Sequence, residues 1–171
     1  MIRQAEIKDA SRIVEIHIFG WRCAYRGIIS DDYLFTTLSV AQRIKPFEKV
    51  LEEHKKEIYV YEEEEIIKAF MTIGRCRDDD KKNAFELWAL YVEPLMKHQG
   101  IGTKMIRYCE DIAVQRGFAE NIVWVLKDND ASRKFYERIG YKPDGKENYL
   151  QDIHAIEVRY TRKLKREPAP A

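Results

Sequence analysis

Apolar and aromatic residues recur along this chain with two different periods. Over residues 10–25 they fall at Ile13, Ile16, His17, Trp21 and Ala24, close to the 3.6-residue repeat of one helical face. Asp9 stands where a helix cap belongs, and Gly27 where a helix ends. A second helical region is expected over Val40 to His54, broken around Pro46. "EIYVYEEEEIIKAFMTIG" then reads as a hairpin, two β-rich runs around a solvated turn of glutamates.

"RDDDKKN" is a charged loop, and "AFELWALYV" a strand apolar enough to be central. From Ile101 the helical period returns through Met105, Cys109, Ile112 and Ala113, and Gly117 stops it. "NIVWVL" is a continuous buried strand. Asn129 can cap a short helix with Ala131, Phe135 and Ile139 on its apolar face, ended by Gly140. "IHAIEVRYT" alternates Ile156, Val158 and Tyr160 with polar residues. "IRQA" adds a short strand at the start, and another is expected near Tyr141. The order β-α-α-β-β-β-α-β-α-β gives an α/β (α+β) chain, a mixed sheet with helices on both faces. With no repeat and no linker, one domain is expected over residues 1–164, followed by a frayed polar tail over 165–171.

Composition narrows the function classes. A chain of 171 residues can bury one proper core, and its net charge of +1 gives no basic footprint for nucleic acid. No apolar run reaches membrane-spanning length, and "MIRQAEIKDA" lacks a signal peptide's apolar core, so a cytoplasmic protein is expected. Cys23, Cys76 and Cys109 are scattered, which suggests reduced thiols. His17, His54, His98 and His154 form no i,i+4 pair, and no metal site is expected.

The chemistry concentrates in "YVEPLMKHQGIGTKMI". A helix start carries unbonded N–H groups and a partial positive charge, and can hold a phosphate if the backbone comes close. Gly100 and Gly102 remove the side chains that would obstruct that approach, and Lys97 and Lys104 add charge. A plain tight turn has the same spacing, and these residues alone leave both readings open. A third glycine three residues on is missing, as is a Gly-Lys-Ser/Thr, which excludes the dinucleotide fingerprint and the P-loop. "NDASRKFYERIGY" places Asn129 and Tyr136 after a strand that would lie beside "ALYV".

These two blocks resemble the GNAT superfamily of acetyl-CoA-dependent N-acetyltransferases, and the order of elements is similar over nearly the whole chain. Lys97-x-x-Gly100-x-Gly102 stands where the family has Gln or Arg, two residues, Gly, any residue, and Gly or Ala. The resemblance implies a single domain with a mostly antiparallel sheet. It implies that Leu90, Tyr91 and Val92 present backbone groups to the pantetheine arm of acetyl-CoA where their strand splays. The amides of Lys97, His98, Gln99, Gly100, Ile101, Gly102 and Thr103 would hold the pyrophosphate, Asn129 would contact the coenzyme arm, and Tyr136 would protonate the departing thiolate. Lys97 forgoes the forked contact of an arginine, and His98 is tolerable only if it points to solvent. Trp124 occupies the place where ribosomal-protein alanine acetyltransferases use a glutamate base, which makes that branch less similar.

The implied reaction moves an acetyl group to a primary amine of a small molecule or a protein in a ternary complex. The amine is protonated at neutral pH and needs a base. Glu86, which opens the central strand, resembles the position some family members use, directly or through water. The Val92 N–H would stabilise the oxyanion. Trp21 and Tyr25 of the first helix, together with Tyr149, are candidates to line the acceptor pocket, and "RDDD" could attract a cationic amine. The other readings are a noncatalytic acyl-CoA-binding or sensory domain of the same fold, and a phosphate-ligand domain unrelated to acyl transfer. The acceptor is not legible, and the sequence admits a homodimer.

Overall fold

The computed structural model describes residues 1–164, and the expected tail over 165–171 lies outside them. Seven strands form one sheet in the order β1-β2-β3-β4-β5-β7-β6. They are β1 (Ile2–Gln4), β2 (Glu57–Glu63), β3 (Ile66–Arg75), β4 (Phe85–Val92), β5 (Glu120–Leu126), β6 (Lys142–Leu150) and β7 (Ala155–Lys163). The helices are α1 (Ala10–Tyr25), α2 (Val40–Glu52), α3 (Ile101–Gln115) and α4 (Asp130–Arg138). Among the seven described strands, only β4 and β5 run parallel to each other; the other strand pairs are antiparallel. The strand expected near Tyr141 is β6, nine residues long, at the sheet edge.

Each face of the sheet has its own apolar layer. Ile101, Met105, Ile106, Cys109 and Ala113 of α3, with Tyr136 of α4, pack on Met71, Phe85, Leu87, Val123 and Tyr160. On the other face, α1 divides its buried residues between two clusters. Ala10, Ile13 and Ile16 meet Ile58, Val60 and Phe70, while Val14 and Ile18 meet Leu34, Leu38 and Leu126. The helical period predicts the first stripe; the second is added by the segment that folds over α1.

Helix α2 corrects the expected break, because it runs through Pro46 without interruption. A proline inside a helix costs on the order of 3 kcal/mol. Here Val40, Ile44, Phe47, Val50 and Leu51 all reach the apolar clusters under α2, and that burial offsets the lost backbone bond. In the β2–β3 hairpin, Glu64 and Glu65 occupy the turn with φ of 54° and 62°. Two left-handed residues are what a two-residue hairpin turn needs to match strand twist.

The acidic loop is largely exposed, yet two of its carboxylates are tied to the sheet. Arg159, 3 % exposed on β7, donates to Asp78, Asp80 and Asp144 at 2.7–2.9 Å. The Trp124 indole also donates to Asp78, at 3.1 Å. Asp78 and Asp80 therefore act as a clamp holding the 76–84 loop on β7.

Candidate active site at the split between the two central strands

Strand β4 contains an irregularity that opens the sheet. Thr72 pairs with Ala89 and Ile73 with Leu87, so Trp88 is left over as a bulge. Phe85 and Leu87 before the bulge, and Leu90 and Val92 after it, all point into the α3 layer. Gly74 makes room for the displaced indole, since a Cβ there would lie 2.6 Å from Trp88 Cζ2. Pairing between β4 and β5 covers Phe85–Leu87 with Asn121–Val123 and stops there.

Past the bulge, the backbone of β4 faces an open edge. The Glu93 N–H donates to Lys68 O at 2.8 Å, which fixes the direction of the ladder. Because backbone groups alternate in direction along a strand, Leu90 and Val92 point theirs away from β3 and into the split. Tyr91 turns its own backbone toward β3, and what it brings to the site is its phenol.

The chain then enters α3 through a turn held at its base. The Glu93 carboxylate, 6 % exposed, takes a 2.7 Å bond from Arg12, which also donates to Ile67 O at 3.1 Å. His98 and Gly100 have φ of 65° and 75°. His98 is exposed, as its bulk requires. No side chain caps Gly100, and the first helical bond runs from the Lys104 N–H to Gly100 O at 3.1 Å. The amides of Gly100, Ile101, Gly102 and Thr103 thus precede the bonded turns. Gly102 lies under the Phe135 ring, where a Cβ would sit 3.2 Å from Cζ.

A cleft of about 630 Å³ connects this turn to the split. Leu90, Tyr91, Val92, Lys97, His98, Gly100, Ile101, Gly102, Thr103, Asn129 and Tyr136 all line it. Gln99 and Glu86 do not; Gln99 turns to the Met96 sulfur, 3.8 Å away. Lys104 leaves the cleft for the Tyr61 ring and hydroxyl. Asn129 caps α4, its Oδ1 accepting from the Ser132 N–H at 3.2 Å, while the residue also lines the cleft. Sequence reading missed Gly20, Met96, Ser132, Lys134 and Arg138 as lining residues. Gly20 carried a usable signal, a glycine inside a helix: a Cβ there would come within 2.9 Å of the Tyr91 ring.

Three phenols converge at the inner end. Tyr136 is 7 % exposed, and burial pushes its hydroxyl pKa upward, with smaller contributions from Tyr25 and Cys109. Tyr25 and Tyr91 place their hydroxyls 3.3 Å apart. Burial raises both. Trp21 packs edge-on against Tyr25 and His17, and Tyr149 stands apart, 53 % exposed and 3.0 Å from His154 Nδ1.

Glu86 is 1 % exposed and fully engaged with Arg77. It accepts the Arg77 backbone N–H at 3.0 Å and two guanidinium nitrogens. Arg77 in turn lies over the Trp88 ring.

His17 sits among Trp21, Phe70 and Tyr91, and its pKa is pushed down to about 4 by burial, then by the charges of Arg43 and Lys56. A folded value below the unfolded one means that the unfolded chain binds the proton more readily. The neutral ring's contribution is therefore complete above the unfolded pKa and disappears as pH falls from about 6.5 toward 4, on the order of 3 kcal/mol in all. Denaturant unfolding across that range should show the slope, and His17→Phe should flatten it. An unchanged slope would place the acid sensitivity elsewhere.

Comparisons with known proteins agree with this geometry. The profile of the acetyltransferase (GNAT) family matches residues 18–141. An uncharacterised N-acetyltransferase of Bacillus subtilis, YuaI, is 29% identical over 145 residues, covering 84% of this chain and 79% of that protein. A spermidine N(1)-acetyltransferase of Thermoplasma acidophilum is 25% identical over 148 residues, 82% and 87% of the two chains. The fold is similar to that of the PaiA N-acetyltransferase of the same organism, solved with coenzyme A. The TM-score is 0.71 and the identity 19%, over 93% of this chain and 96% of that one.

Proposed function

The chain belongs to the GNAT acetyltransferase family, and from that premise we propose that it transfers an acetyl group from acetyl-CoA to a primary amine by direct attack in a ternary complex. The observation that carries this reading is the continuity of one cleft, from uncapped amides at the α3 start, through the split beside β4, to Tyr136.

Each part of the chain has a task in that reaction. The amides of Gly100–Thr103 meet the diphosphate, aided by the partial positive charge of the helix start. Leu90 and Val92 give the pantetheine arm strand-like hydrogen bonds in place of the missing β5 pairing. The Asn129 side-chain amide faces the same arm. With the thioester held beside β4, the Val92 N–H is directed at the oxygen that gains charge in the tetrahedral state. Tyr136, kept neutral by burial, donates its proton to the departing sulfur. Holding both reactants in one cleft removes the need for a covalent enzyme intermediate.

The acceptor is a primary amine of a small molecule or of a protein. The similarity to a spermidine N(1)-acetyltransferase puts polyamines first on a test panel, with amino acids and peptide amino groups beside them. Free thiol release from acetyl-CoA is expected with at least one member. Binding of acetyl-CoA without release across the panel would favour the noncatalytic reading, and a preference for ATP or NAD would overturn the coenzyme assignment.

A further inference from the structure

Resting on that reading, we propose that Glu157 of β7 receives the proton of the acceptor ammonium. Glu86 has both carboxylate oxygens occupied by Arg77. Glu157 pairs across the ladder with Leu126 of β5 and with Asn148 of β6. Cross-strand partners project to the same side of a sheet. Leu126 packs in the cluster that contains Val14 and Ile18, so Glu157 lies on the α1 side. The rung Leu126–Glu157 lies beyond Val123, where β5 has parted from β4. Tyr25 links it to the reacting centre: it packs against the same cluster as Leu126, and its phenol lines the cleft 3.3 Å from the Tyr91 hydroxyl.

The carboxylate is equipped for proton transfer. Asn148 Nδ2 donates to Oε1 at 3.0 Å, and among the described residues nothing bonds to Oε2. Burial raises its pKa above the ordinary carboxylate range. The groups that act on it electrostatically are Tyr25 from α1, Arg77 and Asp78 from the 76–84 loop, Glu86 from β4 and, through its hydrogen bond, Asn148 from β6. Arg77 and Asn148 oppose the rise, and Glu86 and Asp78 reinforce it. A carboxylate with a raised pKa is a better base than an ordinary one.

The step balances. The acceptor ammonium gives one proton to Glu157, which passes it to solvent. The freed lone pair forms the C–N bond as the C–S bond breaks, with its electron pair leaving on sulfur. Sulfur takes the Tyr136 proton, and the second nitrogen proton restores that phenol.

The test uses the full chain with acetyl-CoA and spermidine or, where spermidine is inert, the most reactive amine of the panel. Glu157→Gln is expected to lower kcat about 10²-fold, with KM for acetyl-CoA unchanged. It should also abolish the acidic limb of the kcat/KM profile. Asn148→Ala keeps the carboxylate but removes the hydrogen bond that Asn148 donates to it, so the limb should move to higher pH. A role confined to packing would alter stability and leave the limb in place. A limb that persists in Glu157→Gln, or does not move in Asn148→Ala, overturns the assignment while the acetyltransferase reading stands. A wild-type protein inert with every amine overturns both.

Discussion

Tyr136→Phe should lower kcat for acetyl transfer by roughly 10²-fold or more, the usual contribution of a positioned general acid, with acetyl-CoA affinity nearly unchanged. The hydroxyl is the only group lost, and the ring keeps its edge-on contacts with Phe135 and Tyr141. Among the described residues no side chain hydrogen-bonds that hydroxyl, so its removal leaves no buried partner unsatisfied. The effect belongs to the chemical step, where thiolate charge appears. Steady-state kinetics beside calorimetric titration of acetyl-CoA separates the two quantities. A large affinity loss with intact turnover would contradict the acid role and make Tyr136 a wall of the cleft.

Gly102→Val is expected to weaken acetyl-CoA binding by about 10²-fold, the worth of one or two charge-assisted hydrogen bonds. A Cβ at this position already presses on the Phe135 ring at 3.2 Å and reaches Val92 Cγ2 at 3.8 Å. The branched methyls must therefore turn toward the cleft or displace Phe135, and either outcome keeps a diphosphate from the amides. Gly102→Ala should show a smaller loss in the same direction. Thermal unfolding of each variant tells a blocked site from a damaged fold. If folded Gly102→Val binds acetyl-CoA like wild type, the diphosphate is held elsewhere. Gly100 would be a poorer probe, because its φ of +75° makes any side chain there strained even with no neighbour within 4 Å.

Much of the site was legible because it is nearly contiguous. Residues 90–103 form a strand, a turn and a helix start, so the residues that bare the backbone are neighbours in the chain. The helix α1 bounds, Ala10–Tyr25, followed from Gly27 and one apolar stripe, whereas Asp9, read as the cap, makes no capping bond to α1 and instead accepts from Arg3 and the Glu6 N–H. The Asn129 cap followed equally from a local rule, since its acceptor and the Ser132 amide are three residues apart. Pro46 shows where such rules end. Local propensity breaks the helix there, and packing from both sides restores it.

The sequence by itself determined the elements, their order, and the turn at Gly100 and Gly102, because periodicity, capping and backbone freedom act over a few residues. Tertiary structure alone decided that Trp88 bulges and β5 departs after Val123, that Arg77 occupies Glu86, and that Arg159 gathers Asp78, Asp80 and Asp144. It also put Glu157 of β7 on the sheet face that α1 and its Tyr25 cover. These pairings join residues far apart in the chain, and their energies depend on burial and on which strands lie side by side, quantities that no short window of residues contains.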